Sequence, residues 1–598
     1  MAVKRQYGRR QNSGGGLPGV ERVRPVSGQA ELAFGTTAQR SAPVSKTAPT
    51  WQTLDTLLIL GLGFGTLLSR LPFRAVLLSS FDAVNYTLAL DHFDMRLAQP
   101  QAPGYPLYVL LGRLFSFAYR LAAGTTDHPA ALVWLSMVFS GLAVGAIYLA
   151  GREMYGRQVG FLAALMLSVS TVFWYMGEIV APYTVDLFAS ALVGWLCYRT
   201  MRSSGDAPVW SCALAVGLAG ALRLQTLVFL FPLFLYSLLN RDGLNLASRR
   251  SWPVALAAGA LAVLVFAAFF LPAVMASGGM AAFLGAMRGI LPIFRDTDTL
   301  IRSARWDRFA YNLGTIFRYT FRILGELSLP FLLLGFIQAA GKLAPGSAAA
   351  SPEPASNGGN RLLRRFVTGH SPRILFLLLW LLPSWMVYIL IWPGNLGTLL
   401  VSTPPLFVLA ALGFASVTIP QRRLGLMAGG LMLAVLLAWS ILVFAVLPKA
   451  PFGGAYRTFD NYDSLAGATR AYQTRLDLVR NIPVDGTIIY TNDFRHLQYY
   501  LPQYHTFSYP RFSKDNPDVI EQVISIEAGK MQAWRNVDPS SLAPKGTRRI
   551  VFFEPASKLQ LDNRLVVELR SSGEYAIQVV TIPDSHQVYW TPQGLTLR

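Results

Sequence analysis

Two cysteines among 598 residues, Cys197 and Cys212, leave no disulfide framework, and both lie in or beside apolar runs. Charge is scarce as well. Charged residues make up 14% of the chain and hydrophobic ones 53%, which excludes a disordered chain and an ordinary soluble globule. What remains is a polytopic membrane protein. Acid is the scarcer sign, 32 residues against 52 basic ones. The excess does not point to nucleic acid, because Arg and Lys gather in short loops between apolar runs, where they set orientation. The histidines, His92, His128, His370, His496, His505 and His586, show no metal-ligand spacing. The first 50 residues lack the apolar core of a signal peptide, so they are expected to form a disordered basic cytoplasmic tail.

A membrane helix needs roughly 20 apolar residues. Such runs fall near 53–72, 130–150, 158–176, 180–199, 208–222, 224–239, 252–275, 323–340, 373–392, 397–418 and 424–447, which predicts about eleven transmembrane helices. The run 106–122 is assigned to an interfacial or re-entrant helix. With the tail inside, the loops holding Arg152 and Arg157, Arg199 and Arg202, Arg241, Arg249 and Arg250, Arg361, Arg364 and Arg365, and Arg422 and Arg423 all fall inside. Counting 106–122 as a crossing would invert every one of them. The segment around Asp82 and the C-terminal region then lie outside.

Residues 51–448 therefore form the transmembrane domain, with 341–372 (Gly, Ser, Ala and Pro) as a flexible cytoplasmic loop. Residues 449–598 have the mixed composition of an extracytoplasmic soluble α/β domain. Its strand-like runs are Thr487–Tyr490, Ile550–Phe553 and Tyr575–Val580, with a helical pattern over Val519–Trp534. It carries neither a glycine-rich phosphate loop nor a nucleophile elbow.

Four places on the outer face hold candidate chemistry. Asp82, Asp91 and Asp94 lie in a short amphipathic segment before the Pro103-Gly104-Tyr105-Pro106 turn. Asp82 follows a Ser-Ser pair and shares a helix face with Asn85 and Tyr86. Its carboxylate suits a general base or a ligand to a divalent cation, and equally a charge that stabilises a helix N-terminus. Glu178 lies in a hairpin before Pro182 and Tyr183, where an exposed loop acid is the plain alternative. Asp186 stands inside the next run and needs a cavity or a partner, for which Arg223 at the apex of the 208–239 hairpin is a candidate. The outer loop 278–322 carries Arg288, Arg295, Arg302, Arg305, Arg308, Arg318 and Arg322 and no lysine. Its guanidinium groups suit a phosphate, or snorkel to lipid headgroups. Finally, Trp392-Pro393-Gly394-Asn395 breaks a helix near the membrane surface.

An inside N-terminus, an outer loop with an early Asp, and then Pro103 to Phe115 resemble the polytopic GT-C glycosyltransferases that use lipid-linked sugars. The nearest branch is the protein O-mannosyltransferase-like and arabinosyltransferase-like enzymes. Gly177–Tyr183 with Phe188, Gly217–Thr226 and Gly397–Leu412 add looser matches, so the resemblance spans about 50–450. It implies a GT-C-like all-α membrane fold and a sugar carried on polyprenyl phosphate. It also implies an acceptor that is a glycan, lipid or protein, and a place in the cell (inner) membrane. Asp82 becomes the catalytic base, with Glu178, Asp186, Tyr105, Tyr183 and Arg223 binding substrate. Arg288, Arg295, Arg302 and Arg305 take the donor phosphate. A divalent cation, Mg or Mn, is admitted as cofactor with its ligands unassigned. Asp82 is followed by Ala83 where the family often has a second acid, and Gln101-Ala102 stand where it often has His or Lys. The alternative function is a transporter or flippase of a lipid-linked or anionic solute.

Overall fold

The computed structural model describes residues 51–203, 205–241, 252–297, 305–341, 372–418, 423–447, 461–513, 516, 518–584 and 586–597. The expected basic tail (1–50), nearly all of the expected flexible loop and Arg302 lie outside these residues, as does the side chain of Arg295. The first part of the chain is helical throughout: α1 (Thr53–Arg70), α2 (Phe81–Asp91), α3 (Pro106–Ala123), α4 (His128–Tyr155), α5 (Arg157–Ser168), α6 (Thr171–Met176), α7 (Tyr183–Arg202), α8 (Ala207–Leu222) and α9 (Leu224–Leu239). It continues through α10 (Trp252–Ala276), α11 (Gly279–Thr297), α12 (Trp306–Leu324), α13 (Leu329–Gly341), α14 (Pro372–Leu390), α15 (Leu396–Leu399), α16 (Pro404–Val417) and α17 (Arg423–Ile441).

Every predicted span falls on helix, but not every span is one straight helix. Five helices among the described residues are long and apolar enough to cross a membrane, and two bent pairs bring the number to seven. α5, α8 and α9 are apolar and shorter. The expected span 158–176 breaks at Val169-Ser170, where Ser170 caps α6 and donates to the Ile323 carbonyl. α12 and the helical stretch after Gly325 meet at 93°, and the stretch before Pro404 meets α16 at 68°. Proline at the start of α16 and a left-handed Gly325 (φ 77°) supply these corners. Outside the five, α3 keeps Tyr108, Val109, Gly112 and Ser116 buried and exposes Leu110, Leu114, Phe117 and Leu121.

The bundle is held by close helix contact and, at the start of α1, by a charged lock. A Cβ placed on Gly141 of α4 would come within 2.6 Å of the Gly63 carbonyl oxygen of α1, so those backbones touch only because both residues are glycine. At the start of α1, Asp55 is fully buried. It accepts from Tyr148 Oη (2.6 Å), Arg152 Nε (2.9 Å), Arg157 Nε (2.9 Å) and the Gln52 backbone N–H (2.9 Å). One carboxylate thus ties α1 to α4 and α5. Cys197 and Cys212 meet between α7 and α8 as free thiols, 3.3 Å apart.

Beyond residue 460 the chain builds a β-rich domain on α18 (Tyr462–Arg480) and α19 (Phe494–Tyr500). β1 (Thr487–Tyr490), β2 (His505–Phe507) and β6 (Arg549–Phe552) run parallel at the centre of an eight-stranded mixed sheet. Antiparallel strands extend it: β3 (Arg511–Phe512), β4 (Ile520–Glu527) and β5 (Lys530–Val537) on one side, β8 (Val566–Ser572) and β9 (Tyr575–Thr581) on the other. A smaller sheet joins β7 (Gln560–Leu561), β10 (Val588–Thr591) and β11 (Gly594–Leu597). The helix expected over Val519–Trp534 is instead the β4–β5 hairpin. Its β-branched residues favour strand, and Ala528 (φ 49°) with Gly529 (φ 72°) makes the tight turn that such a hairpin needs.

Asp55→Asn leaves Arg152 buried without its carboxylate, while Arg157 is one-third exposed and recovers water. We expect a stability loss of about 3 kcal/mol, the lower end for breaking a buried pair. Thermal unfolding in detergent measures it, and an unchanged midpoint would remove the lock from this account.

Candidate active site

α2 begins where Ser80 accepts from the Ala83 N–H (3.2 Å), so Asp82 falls in the first helical turn. Arg113 of α3 closes the other end of α2 by donating to the Leu90 carbonyl (2.8 Å) and the Ala89 carbonyl (3.3 Å). Behind α2, Asp94 is buried and gripped by Arg96, with Nη2 at 2.6 Å, in a turn closed by Asp94 and Gln99. Gln101 donates to Tyr86 Oη (2.8 Å), and Tyr105 stands at the N-terminus of α3 with Pro106 next in line. The rings of Tyr105 and Tyr108 each pack edge-on against Tyr86 at 5.1 Å.

The bundle supplies the opposite wall. Asp186, in the first turn of α7, accepts from Arg223 Nη1 (3.1 Å) and Thr226 Oγ1 (3.3 Å). Arg223 is the residue between α8 and α9, in extended conformation (φ −157°, ψ 119°), and it is buried. Its Nε has no acceptor among the described residues. Tyr183 Oη accepts from Asn395 Nδ2 (2.7 Å), and the Tyr183 ring lies on Gly397, where a Cβ would come within 2.2 Å. Asn395 is held by a reciprocal cap with Thr398, and Tyr388 donates to the Thr398 carbonyl (2.8 Å).

These walls share one electrostatic environment. The charge of Arg223 reaches Asp82, and the charge of Asp82 reaches Tyr86, Tyr105 and Tyr183. Burial pushes the Asp82 carboxyl above the ordinary aspartate value, and Arg223 pulls it part of the way back. Of the residues singled out from sequence, Asp82, Tyr105, Tyr183, Asp186 and Arg223 therefore come together. Glu178 does not join them. It is completely buried, not an exposed loop acid, and its carboxylate faces Arg70, whose guanidinium lies over the Trp174 ring at 4.7 Å. Sequence periodicity hides such burial, because Glu178 sits in a loop. Arg288 is exposed on α11, and Arg305 pairs with Asp307 at 3.4 Å. Tyr86, Tyr108, Tyr388 and Asn395 complete the site. Of these, Tyr86 carried a sequence signal in its place on the face of Asp82, and Asn395 in the helix break at Trp392-Pro393-Gly394-Asn395.

A divalent cation has no evident home here. Among the described residues no three His, Cys, Asp or Glu side chains gather closely enough to hold one, and Asp186 is already engaged by Arg223 and Thr226. The donor set does not fit a metal.

The fold and this site describe a polytopic helical membrane protein with a buried acid, arginine and tyrosine cluster at one end of its bundle. Residues 114–271 match the family model described as Dolichyl-phosphate-mannose-protein mannosyltransferase. That stretch runs from α3 into α10 and contains Tyr183, Asp186 and Arg223. No curated protein matches the chain. Among solved structures, ArnT from Cupriavidus metallidurans bound to undecaprenyl phosphate is similar over 90% of this chain and 99% of that one, at 13% identity and a TM-score of 0.49. The oligosaccharyltransferase AglB from Archaeoglobus fulgidus, in complex with an inhibitory peptide and a dolichol-phosphate, is similar over 76% of this chain and 60% of that one (14% identity, TM-score 0.39). A complex of the Archaeoglobus fulgidus oligosaccharyltransferase with Zn and sulfate is similar over 83% and 67% (12% identity, TM-score 0.45). The family match covers 158 of the 598 residues and agrees in kind with the resemblance carried by the sequence.

The Asp186–Arg223 pair is open to a double-mutant cycle. Asp186→Leu and Arg223→Met should each cost about 3–5 kcal/mol, while the double variant costs less than either, because neither charge is then left buried alone. Unfolding of the four proteins in detergent reads the coupling, and strictly additive losses would contradict the pairing.

Proposed function

We propose that this chain transfers a hexosyl or pentosyl group from polyprenyl phosphate to an acceptor hydroxyl on the extracytoplasmic face of the cell membrane. The observation that carries the reading is the meeting of a half-buried Asp82 with the buried Arg223 and tyrosines in one cluster. Asp82 takes the proton of the acceptor hydroxyl, the freed oxygen bonds to the anomeric carbon of the sugar, and the bond from that carbon to the phosphate oxygen breaks. Polyprenyl phosphate leaves with the bonding electrons. The unpartnered Nε–H of Arg223 offers a donor to a phosphate oxygen, and electrostatic stabilisation of that leaving group is the largest contribution required. Asp186 holds Arg223, while Tyr105 and Tyr183 line the sugar's place. Arg288, Arg295, Arg302 and Arg305 are assigned to the approaching lipid phosphate. We assign Glu178 no sugar contact, since it faces Arg70.

The orientation belongs to the same proposal. The lock of Asp55 with Arg152 and Arg157 stands at the start of α1, and the Asp82 segment follows the end of α1. A cytoplasmic N-terminus then gathers the basic loops inside and puts the Asp82 cluster and the β-rich domain outside.

The decisive experiment uses purified protein in lipid nanodiscs with a panel of polyprenyl-phosphate sugars and follows release of free polyprenyl phosphate. Asp82→Asn should lower the rate by about 10²–10⁴, the usual worth of a general base. Full turnover by that variant would sink the mechanism, and movement of intact lipid without release would make the chain a transporter.

The pH profile gives a second check. The base works as a carboxylate, so the rate is lost as pH falls through its folded-state pKa. Because burial raises that pKa, the loss should begin at higher pH than the ordinary aspartate value of 3.8 allows. Arg223→Met removes the charge that lowers it and should move the loss to higher pH still. Arg223→Lys should move it less. A limb at the ordinary value in wild type would contradict a base whose pKa is raised by its partial burial.

A further inference from the structure

The β-rich domain touches the candidate active site at one point, and the contact is made by charged and aromatic groups. α19 packs directly on α2. Phe494 meets Phe81 edge-on at 5.5 Å, and Phe81 is the residue before Asp82. Tyr500 Oη accepts from the Leu78 N–H (2.9 Å), just ahead of the Ser80 cap. Between these contacts lies Arg495, only 1% exposed. Its guanidinium sits over the Phe81 ring at 5.7 Å, Nη2 donates to the Leu97 carbonyl, and Nη1 donates to Gln498 Oε1 (2.8 Å). Gln498 in turn donates to the Gly529 carbonyl (2.8 Å), at the turn of the β4–β5 hairpin.

A buried guanidinium without a carboxylate is a costly way to fill space. Arg495 forms no ion pair among the described residues, so an apolar side chain of similar length would pack there at lower cost. What an apolar residue could not do is hold both ends of the loop at once. Arg495 grips α2 through the Phe81 face and the far side of the loop through the Leu97 carbonyl. Its fork is fixed to the β4–β5 hairpin through Gln498. The chain of contacts runs from sheet to Gln498, to Arg495, to Phe81, and so to Asp82.

We propose that Arg495 is a positioning residue for the reaction: it sets the height and angle of α2, and so places the Asp82 carboxylate against Arg223. The β-rich domain is then part of the catalytic machinery. The inference rests on Asp82 being the base. Asp82 faces Arg223, Tyr86, Tyr105 and Tyr183 from the bundle and the loop. From the β-rich domain the charged and titratable groups beside its helix include Arg495, His496, Tyr499 and Tyr500, and burial lowers the pKa of His496 and raises those of the two tyrosines.

The test compares full-length wild type, Arg495→Gln, Arg495→Lys and Tyr500→Phe in nanodiscs by two readouts. Hydrogen exchange across 81–97, without substrate, should quicken in Arg495→Gln while the strands β1 and β6 stay protected. In the polyprenyl-phosphate release assay, kcat should fall about 10- to 100-fold with KM for the donor little changed, as expected for a displaced reacting group. The acid limb of the profile should shift in the same variant. Arg495→Lys, which keeps one N–H donor and the charge over Phe81, should recover part of both effects. Unchanged exchange over 81–97, or a loss carried by KM alone, overturns the proposal. If Arg495→Gln fails to fold, Tyr500→Phe, which removes only the acceptor for the Leu78 N–H, carries both readouts with the same criteria. Exchange needs no substrate, so its failure is distinct from a failure of wild type to release polyprenyl phosphate.

Discussion

Everything at the candidate site depends on the buried pairing of Asp186 with Arg223. The break between α8 and α9 puts one residue in extended conformation at the edge of an apolar bundle, where freed backbone groups are tolerated only beside a cavity or a locked partner. That residue is Arg223, and its guanidinium is the lock. Asp186 fixes it from α7, Thr226 adds a second hydrogen bond to the carboxylate, and the remaining Nε–H has no acceptor among the described residues. Remove the pair and the wall loses its guanidinium and its donor. Low dielectric makes the same charge count at Asp82, which burial alone would keep protonated over a wider range.

How much of this could be seen beforehand differs from residue to residue, for physical reasons. Asp186 stood out because an acid inside an apolar run has almost no structural use, and the same logic picked Arg223 from the apex of its hairpin. The spans were legible from length and hydropathy, but their breaks were not. Ser170 ends a helix by bonding to Ile323, 153 positions away, and no local pattern records that contact. Glu178 misled in the opposite direction. A loop acid before Pro182 has the look of solvent, yet the fold closes α1 and α6 over it. The hairpin at 520–537 was missed because Val519, Val523, Ile524 and Ile526 satisfy helical and strand spacing almost equally, and only the Ala528-Gly529 turn decides.

The tyrosines explain how a loop outside the bundle joins a wall inside it. Tyr86 belongs to α2, Tyr105 and Tyr108 to the start of α3, Tyr183 to α7 and Tyr388 to α14. Each presents a flat apolar ring with a polar tip, so on our reading a wall of them can offer hydroxyls to a sugar. Their positions are set from behind: Gln101 holds Tyr86, Asn395 holds Tyr183, and Gly397 lets the Tyr183 ring lie flat on backbone. None of these supports is charged. The site thus separates rigid neutral scaffolding from the few groups whose charge has chemical work to do.

Charge balance then limits how the donor can be held. Arg223 is neutralised by Asp186, so an ionised Asp82 leaves the cluster with a net negative charge. A sugar phosphodiester adds another, and its departure as a phosphate monoester concentrates more negative charge on the leaving oxygen. No donor set for a metal gathers among the described residues, and on our reading the countercharge comes from the chain itself. The candidates are the arginines between α10 and α13, of which Arg288 stands exposed on α11 and Arg305 pairs with the exposed Asp307. Guanidinium groups outside the buried cluster can meet a phosphate arriving from the bilayer without first losing a buried partner. On our reading this divides the labour: Arg223, locked in place, orients the group that reacts, and the arginines of the outer helices neutralise the lipid that leaves.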